Sequence, residues 1–262
     1  MDMEILTQTP ASGARPTPLL FVHGMWHAAW CWAEHFLPYF AQHSYTAHAL
    51  SLRGHGGSAG RAGLRWTSLD DYVADVAQAV DQMAHAPVLV GHSMGGMIVQ
   101  KYLTSHDAPA AVLLASAPPQ GLIRATLRTL RRHPLAFIQV NLTLSMSPVI
   151  GTPRLARETF FSADMPEEQI QGYFERLQDE SYRAYLDMLG LSLPRPSQVK
   201  TPLLVLGAAD DHTITPGEVE ATARAYGAQA ELLPDLAHDA MLEPGWQRVA
   251  DRILAWLDER GI

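Results

Sequence analysis

The sequence predicts an α/β fold, a doubly wound and mostly parallel sheet with a block of helices inserted into it. Three observations carry that reading. Short apolar runs rich in Val and Leu alternate with segments whose apolar residues recur at helical spacing, the pattern of strands buried beneath helices on both faces. Gly91-His92-Ser93-Met94-Gly95 stands between one such run, 87–90, and one such helical pattern. Residues 120–197 break the alternation, because helical patterns follow one another there with no strand between them.

Taken in order, 17–22 reads as a strand, 33–42 as a helix and 46–52 as a strand. Ser68 caps the next helix, with Asp71 at its third position, and Leu69, Tyr72, Val73, Val76, Val80 and Met83 form its apolar stripe. The run 87–90 is too short and too β-branched for a helix, whereas from Met94 the apolar residues Met97, Ile98 and Tyr102 keep helical spacing. A buried strand at 110–117 ends at Pro118-Pro119. Helical patterns then occupy 122–132, 136–144, 154–161, 167–177 and 182–189. Strands return at 203–206 and from 230. Between them Thr215-Pro216-Gly217-Glu218 supplies a cap, a first-turn proline and a capping-box glutamate. A last helix spans 245–259, burying Trp246, Val249, Ile253, Trp256 and Leu257. Residues 1–119 and 198–262 thus form one core domain, and 120–197 a helical insertion.

Composition sets the limits. A chain of 262 residues with 47% hydrophobic content can bury one large core. A net charge of −8 offers no overall basic field to meet phosphates, which argues against nucleic acid as a partner. The single cysteine, Cys31, sits between tryptophans, forms no internal disulfide and fits a reducing compartment. The first residues carry Asp2 and Glu4 and lack a basic segment followed by an apolar core, so no secretory leader is expected. No run reaches the roughly 18–20 apolar residues that span a bilayer. The expectation is a cytoplasmic protein with no stable membrane insertion.

The pentapeptide carries the chemistry. A serine on a sharp strand-to-helix turn has its hydroxyl clear of the sheet edge, and the helix aims its free N–H groups at any oxyanion formed beside it. Downstream, the run from Leu203 ends in Asp210-Asp211, and the run from Ala230 leads to a loop histidine, His238. Serine, aspartate, histidine is one of the chain orders in which a nucleophile, an acid and a base assemble. The imidazole takes the hydroxyl proton, and the carboxylate fixes the imidazole tautomer and stabilises the imidazolium.

With these motifs the chain resembles α/β-hydrolase-fold proteins over nearly its whole length outside the middle segment. His23-Gly24 after the strand 19–22 and Arg53-Gly54-His55-Gly56-Gly57-Ser58 after the strand 46–52 stand where that family carries such motifs. The stretch from His23 to Trp32 and His238-Asp239-Ala240-Met241-Leu242 are similar to the plant methylesterase and hydroxynitrile lyase branch. The resemblance implies a catalytic triad of Ser93, Asp210 and His238, since Asp210 lies three residues beyond Gly207, with adjacent Asp211 as the alternative acid. It implies backbone N–H donors for an oxyanion at Met25 and Met94, and a lid at 120–197.

The expected substrate is a small-molecule ester with an apolar, medium-chain or lipid-like acyl group, cleaved without a cofactor. Trp26, His27, Phe137, Met146, Phe160, Phe161 and Met241 are the candidate pocket residues, although for any single apolar residue of the inserted segment the cap's own core is the simpler place. Arg124, Arg128, Arg131 and Arg132 make a basic stripe that suits an anionic substrate, a lipid headgroup or plain solvent. His23, His27 and His92 lack the helical spacing and carboxylate company of a metal site, so no metal is expected. Two other readings compete. One is a lyase, C–C bond hydrolase or cofactor-free peroxidase on the same scaffold, although hydroxynitrile lyases similar to this chain rely on a lysine where Asp239 stands. The other is a ligand receptor that keeps the triad for binding.

Overall fold

A computed structural model describes residues 2–262. Seven strands form one sheet in the order β1 (Ile5–Gln8), β3 (Ala47–Leu50), β2 (Leu19–Val22), β4 (Val88–His92), β5 (Ala111–Leu114), β6 (Leu203–Ala208), β7 (Ala230–Leu233). All neighbours pair in parallel except β1, which runs antiparallel to β3 from Ile5 opposite Leu50. Parallel strands covered on both faces cannot alternate apolar with polar. Accordingly Leu19, Leu20, Phe21 and Val22 are all fully buried, as are Val88, Leu89 and Val90. The edge strand β1 escaped the sequence reading. Its Thr7 and Gln8 face solvent, and only pairing with β3 holds it extended.

The helices of the core pack in two groups. α1 (Trp30–Ala33) and α2 (Phe36–Gln42) lie against β3, and α2 meets α11 (Trp246–Glu259) through Phe36, Tyr39 and Trp246. The helix expected at 33–42 is α2, which begins at Phe36, and the short α1 before it adds a separate turn. α3 (Leu69–Asp81) packs on α4 (Met94–Tyr102), and Tyr226, just beyond α10 (Pro216–Ala225), donates its hydroxyl to Gln100 of α4. The Ser68 and Thr215 capping boxes form as their sequences predict, with Asp71 and Glu218 each accepting the cap residue's N–H.

Between β5 and β6 lie α5 (Ile123–Arg132), α6 (Pro134–Thr143), α7 (Pro153–Phe160), α8 (Glu167–Phe174) and α9 (Tyr182–Leu186), with no strand among them. The loops that leave β2, β4, β6 and β7 all emerge at the carboxyl edge of the parallel sheet, where open α/β sheets place their ligands.

Candidate active site

β4 hands over to α4 at Ser93, whose φ of 52° and ψ of −118° are strained for a residue with a side chain. The surroundings over-determine that conformation. Ser93 N–H donates to Leu114 O at 3.1 Å, while its carbonyl accepts Gly96 N–H and Ala117 N–H, each at 3.0 Å. Glycine is required at 95 because a Cβ there would strike the carbonyl oxygens of Val22 and His23. The loop after β2 is thereby pressed onto the turn, and a Cβ on Gly24 would lie 2.9 Å from that of Ser93. This approach brings Met25 beside Met94, and both line one cavity with Ser93. Met94 opens α4, so its N–H has no acceptor within the helix.

His238 completes a hydrogen-bonded line. Ser93 Oγ lies 2.9 Å from its Nε2, and its Nδ1 lies 2.7 Å from Asp211 Oδ2. A carboxylate only accepts, so Nδ1 carries the proton and the Nε2 lone pair faces the serine hydroxyl. Burial alone would pull the imidazole pKa down, but the charge and hydrogen bond of Asp211, helped by Asp239, hold it above the ordinary histidine value. The other oxygen of Asp211 accepts Thr213 N–H at 2.7 Å and Ile214 N–H at 2.9 Å, which locks the carboxylate plane.

The acid at the imidazole is therefore Asp211 and not Asp210. Beyond Ala208 the chain turns, with Asp211 N–H donating back to Ala208 O. Asp210 N–H reaches across to Leu236 O, and the Asp210 side chain is left in solvent, while Asp211 is buried. The Asp211-His212-Thr213 order was a readable signal for this, since aspartate in a turn often accepts the N–H two residues on.

Further polar groups lie behind the histidine. His92 Nε2–H donates to the His238 carbonyl at 2.9 Å, and burial, with His238 next to it, drives the His92 pKa down to about 3. Asp239 Oδ2 lies 2.9 Å from His27 Nε2, and Oδ1 lies 3.7 Å from His92 Nε2. Burial would raise the Asp239 carboxyl, but His27 and then His92 and His238 hold it below the usual carboxylate range. His92, His238 and Asp239 bring donor atoms within 4.8 Å of one another, close enough for an ion. Both nitrogens of His238 are already engaged, however, and His92 Nε2 is spent on a carbonyl.

The cavity over Ser93 has a volume of about 80 Å³, and apolar side chains dominate its walls. Of the expected pocket residues, Trp26, Phe137 and Met146 line it. His27, Phe160, Phe161 and Met241 do not. His27 is buried between Met25 O and Asp239. Phe160 stacks on His238 at 6.3 Å and meets His27 edge-on, Phe161 stacks on Tyr173, and Met241 is fully buried. Their hydrophobicity made them look like wall residues, but it serves the packing behind the wall. Thr126, Thr129, Tyr185 and Thr213 line the cavity without having been foreseen. Arg128, expected in the basic stripe, instead donates to both oxygens of Glu218 and to Thr213 O.

Comparison with known proteins agrees with this architecture. Residues 19–252 match the model of the alpha/beta hydrolase family. The chain is 36% identical over 106 residues to a non-heme haloperoxidase from Rhodococcus erythropolis, covering 39% of this chain and 38% of that protein. It is 30% identical over 163 residues to a "probable esterase" from rice, Oryza sativa, covering 57% and 61%. Either match thus spans less than two thirds of the relative's own length. A thermophilic esterase from Thermogutta terrifontis superposes with a TM-score of 0.74 at 21% identity over 98% of this chain and 94% of that one, which speaks for the fold. With the family model spanning β2 to α11, the chain belongs to the alpha/beta hydrolase family.

Proposed function

We propose that this protein is a serine hydrolase that cleaves carboxylic esters with apolar, medium-chain or lipid-like acyl groups. The observation that carries the reading is the line Asp211–His238–Ser93 opening onto an apolar cavity. Ser93 Oγ attacks the ester carbonyl carbon as its proton passes to His238 Nε2. The carbonyl oxygen gains the negative charge, and the N–H groups of Met25 and Met94 stabilise it. The C–O bond to the alcohol then breaks, the alcohol takes the proton from His238, and the acyl group stays on Ser93. Water then attacks the acyl carbon as its proton passes to His238, the bond between that carbon and Ser93 Oγ breaks, Ser93 Oγ takes the proton back from His238, and the acid leaves. Asp211 keeps the imidazole in the tautomer that can accept from serine, and every group in the cycle comes from the chain itself.

The inserted helices act as a cap over the site, with Phe137, Met146 and Trp26 setting acyl preference. Each methylene buried there contributes roughly 0.8 kcal/mol, so turnover efficiency climbs from acetate to medium-chain esters until the cavity is full. Two tests address the reading. A fluorophosphonate probe should label the wild type once per chain and leave Ser93→Ala unlabelled, with kcat on p-nitrophenyl esters lowered by about four orders of magnitude or more in the variant. Persistent labelling of Ser93→Ala would place the nucleophile elsewhere. A wild type that is labelled but does not turn over any ester would favour a receptor. The likeness to a haloperoxidase supports a second use of the same acyl-enzyme, attack by hydrogen peroxide to release a peracid, which peroxide-dependent bromination in the presence of a carboxylic acid would report.

A further inference from the structure

The outer faces of α5 and α6 are unlike the rest of the surface. Eight large apolar side chains are exposed among the described residues, and five of them, Ile123, Leu127, Leu135, Ile138 and Leu142, sit on these two consecutive, packed helices. Leu135 is 75% exposed and Leu142 80%, and α5 buries none of its residues. Scattered apolar residues on a surface mean little, but a concentration of this kind marks a docking site.

Charge is distributed in the same way. From residue 108 to residue 157 there is no carboxylate, yet that stretch holds six arginines, in a chain whose net charge is −8. Arg128 is turned inward to Glu218, and Arg132 stands 3.8 Å from Glu158. Arg124 and Arg131 are exposed, with no carboxylate within ion-pair distance among the described residues. The two lie seven residues apart, on one side of α5, with Leu127 between them. The inner sides of these helices supply Ala125, Thr126 and Thr129 of α5 and Phe137 and Val140 of α6 to the wall of the Ser93 cavity. The unusual surface is therefore the roof of the candidate active site.

We propose that the α5–α6 face is a peripheral docking surface for an anionic lipid bilayer. Leucine and isoleucine side chains enter the boundary between headgroups and acyl chains while Arg124 and Arg131 meet the lipid phosphates. The charge complementarity selects this occupant over a second copy of the chain, because face-to-face pairing would set these arginines against their own symmetry mates with no carboxylate on the face to answer them. No helix among the described residues is long and apolar enough to cross a membrane, so the binding is adsorption and reversible. Docking in this orientation would deliver lipid-borne single-chain esters to the roof of the cavity. It does not depend on the ester chemistry, which fails or stands separately.

The test uses Ser93→Ala protein, so that binding is read without turnover, in co-sedimentation with vesicles of equimolar phosphatidylglycerol and phosphatidylcholine or of phosphatidylcholine alone. The expected result is binding to the anionic vesicles at least about tenfold stronger than to the neutral ones, and weakened by salt. Arg124→Glu with Arg131→Glu, and separately Leu135→Ser with Leu142→Ser, should each lower binding roughly tenfold or more. All four positions are exposed, unchanged melting temperature checks each fold, and hydrolysis of a short soluble ester in the Ser93 background checks the site. Absence of binding to anionic vesicles, equal binding to both vesicle types, or undiminished binding by both double variants would overturn the proposal. So would a solution dimer that Leu135→Ser with Leu142→Ser converts to monomer, since the face would then belong to a second copy.

Discussion

The end of α7 and the α5–α6 pair belong to the same insertion but stand in opposite relations to the chemistry. Thr159 O accepts the Thr213 hydroxyl at 2.7 Å, Phe160 O accepts Asp239 N–H at 2.9 Å, and Ser162 donates its N–H and hydroxyl to Glu243, each at 2.6 Å. That short segment thereby holds both the loop that carries Asp211 and the loop that carries His238. By contrast, α5 buries no residue, and among the described residues its polar tether to the core is the side chain of Arg128. The difference shows that an inserted helical segment need not be a uniform lid. One part of it braces the loops that carry Asp211 and His238, and the other supplies side chains to the wall of the cavity over Ser93.

The comparison can be broken at three places. The largest effect is expected within the braced loop itself. Asp211→Asn should lower kcat by about 10⁴-fold, because the amide favours the wrong imidazole tautomer, whereas Asp210→Asn should cost less than about threefold. Equal losses would mean that the orientation of the acid loop is not what selects the carboxylate.

Next come the two phenylalanines, one from each region. Phe160 is 2% exposed and stacks on His238, so Phe160→Ala should cost about 3–5 kcal/mol in denaturant unfolding and lower activity on short and long esters alike. Phe137 lines only the cavity, and Phe137→Ala should shift the preferred acyl length by one or two carbons while leaving acetate turnover within about twofold. If Phe160→Ala changed only chain preference, the brace would be part of the pocket after all.

The smallest effects concern pH. His238 must be neutral to accept the serine proton, and its pKa lies above the ordinary value of 6.5, so kcat/KM should rise through an apparent pKa above 6.5. Asp239 helps to raise that pKa, so Asp239→Asn should move the limb to lower pH, a displacement that loss of packing alone would not give. Stability should run in the same direction for a different reason. His92 is neutral in the fold, with a pKa of about 3 against 6.5 when unfolded, so the unfolded chain binds more protons between those values. Stability is fully present above 6.5 and is lost as the pH falls towards 3, and thermal melts of wild type and His92→Asn across that window should diverge.

Much of this was legible in the chain by itself. Local rules suffice for unbroken apolar runs in a parallel sheet, for the Ser68 and Thr215 capping boxes, and for a serine on a glycine-flanked turn between strand and helix. They read the alternation, the five inserted helices to within a few residues, and the positions of Ser93 and His238. What they could not reach was decided by contacts between segments distant in sequence. Asp210 and Asp211 are chemically identical neighbours, and beyond the end of β6 strand alternation no longer says which one faces inward. Only the N–H groups of Thr213 and Ile214 and the imidazole from another loop make that choice. Phe137 and Phe160 are likewise indistinguishable by hydrophobicity, and the fold makes one a cavity wall and the other a support for the histidine. β1 exists because β3 offers it an edge, and the His27–Asp239 pair exists because two loops more than two hundred residues apart meet behind His238. Sequence alone specifies which chemistry and which local shapes are available to this protein, while burial and pairing across the folded chain select the residues that use them.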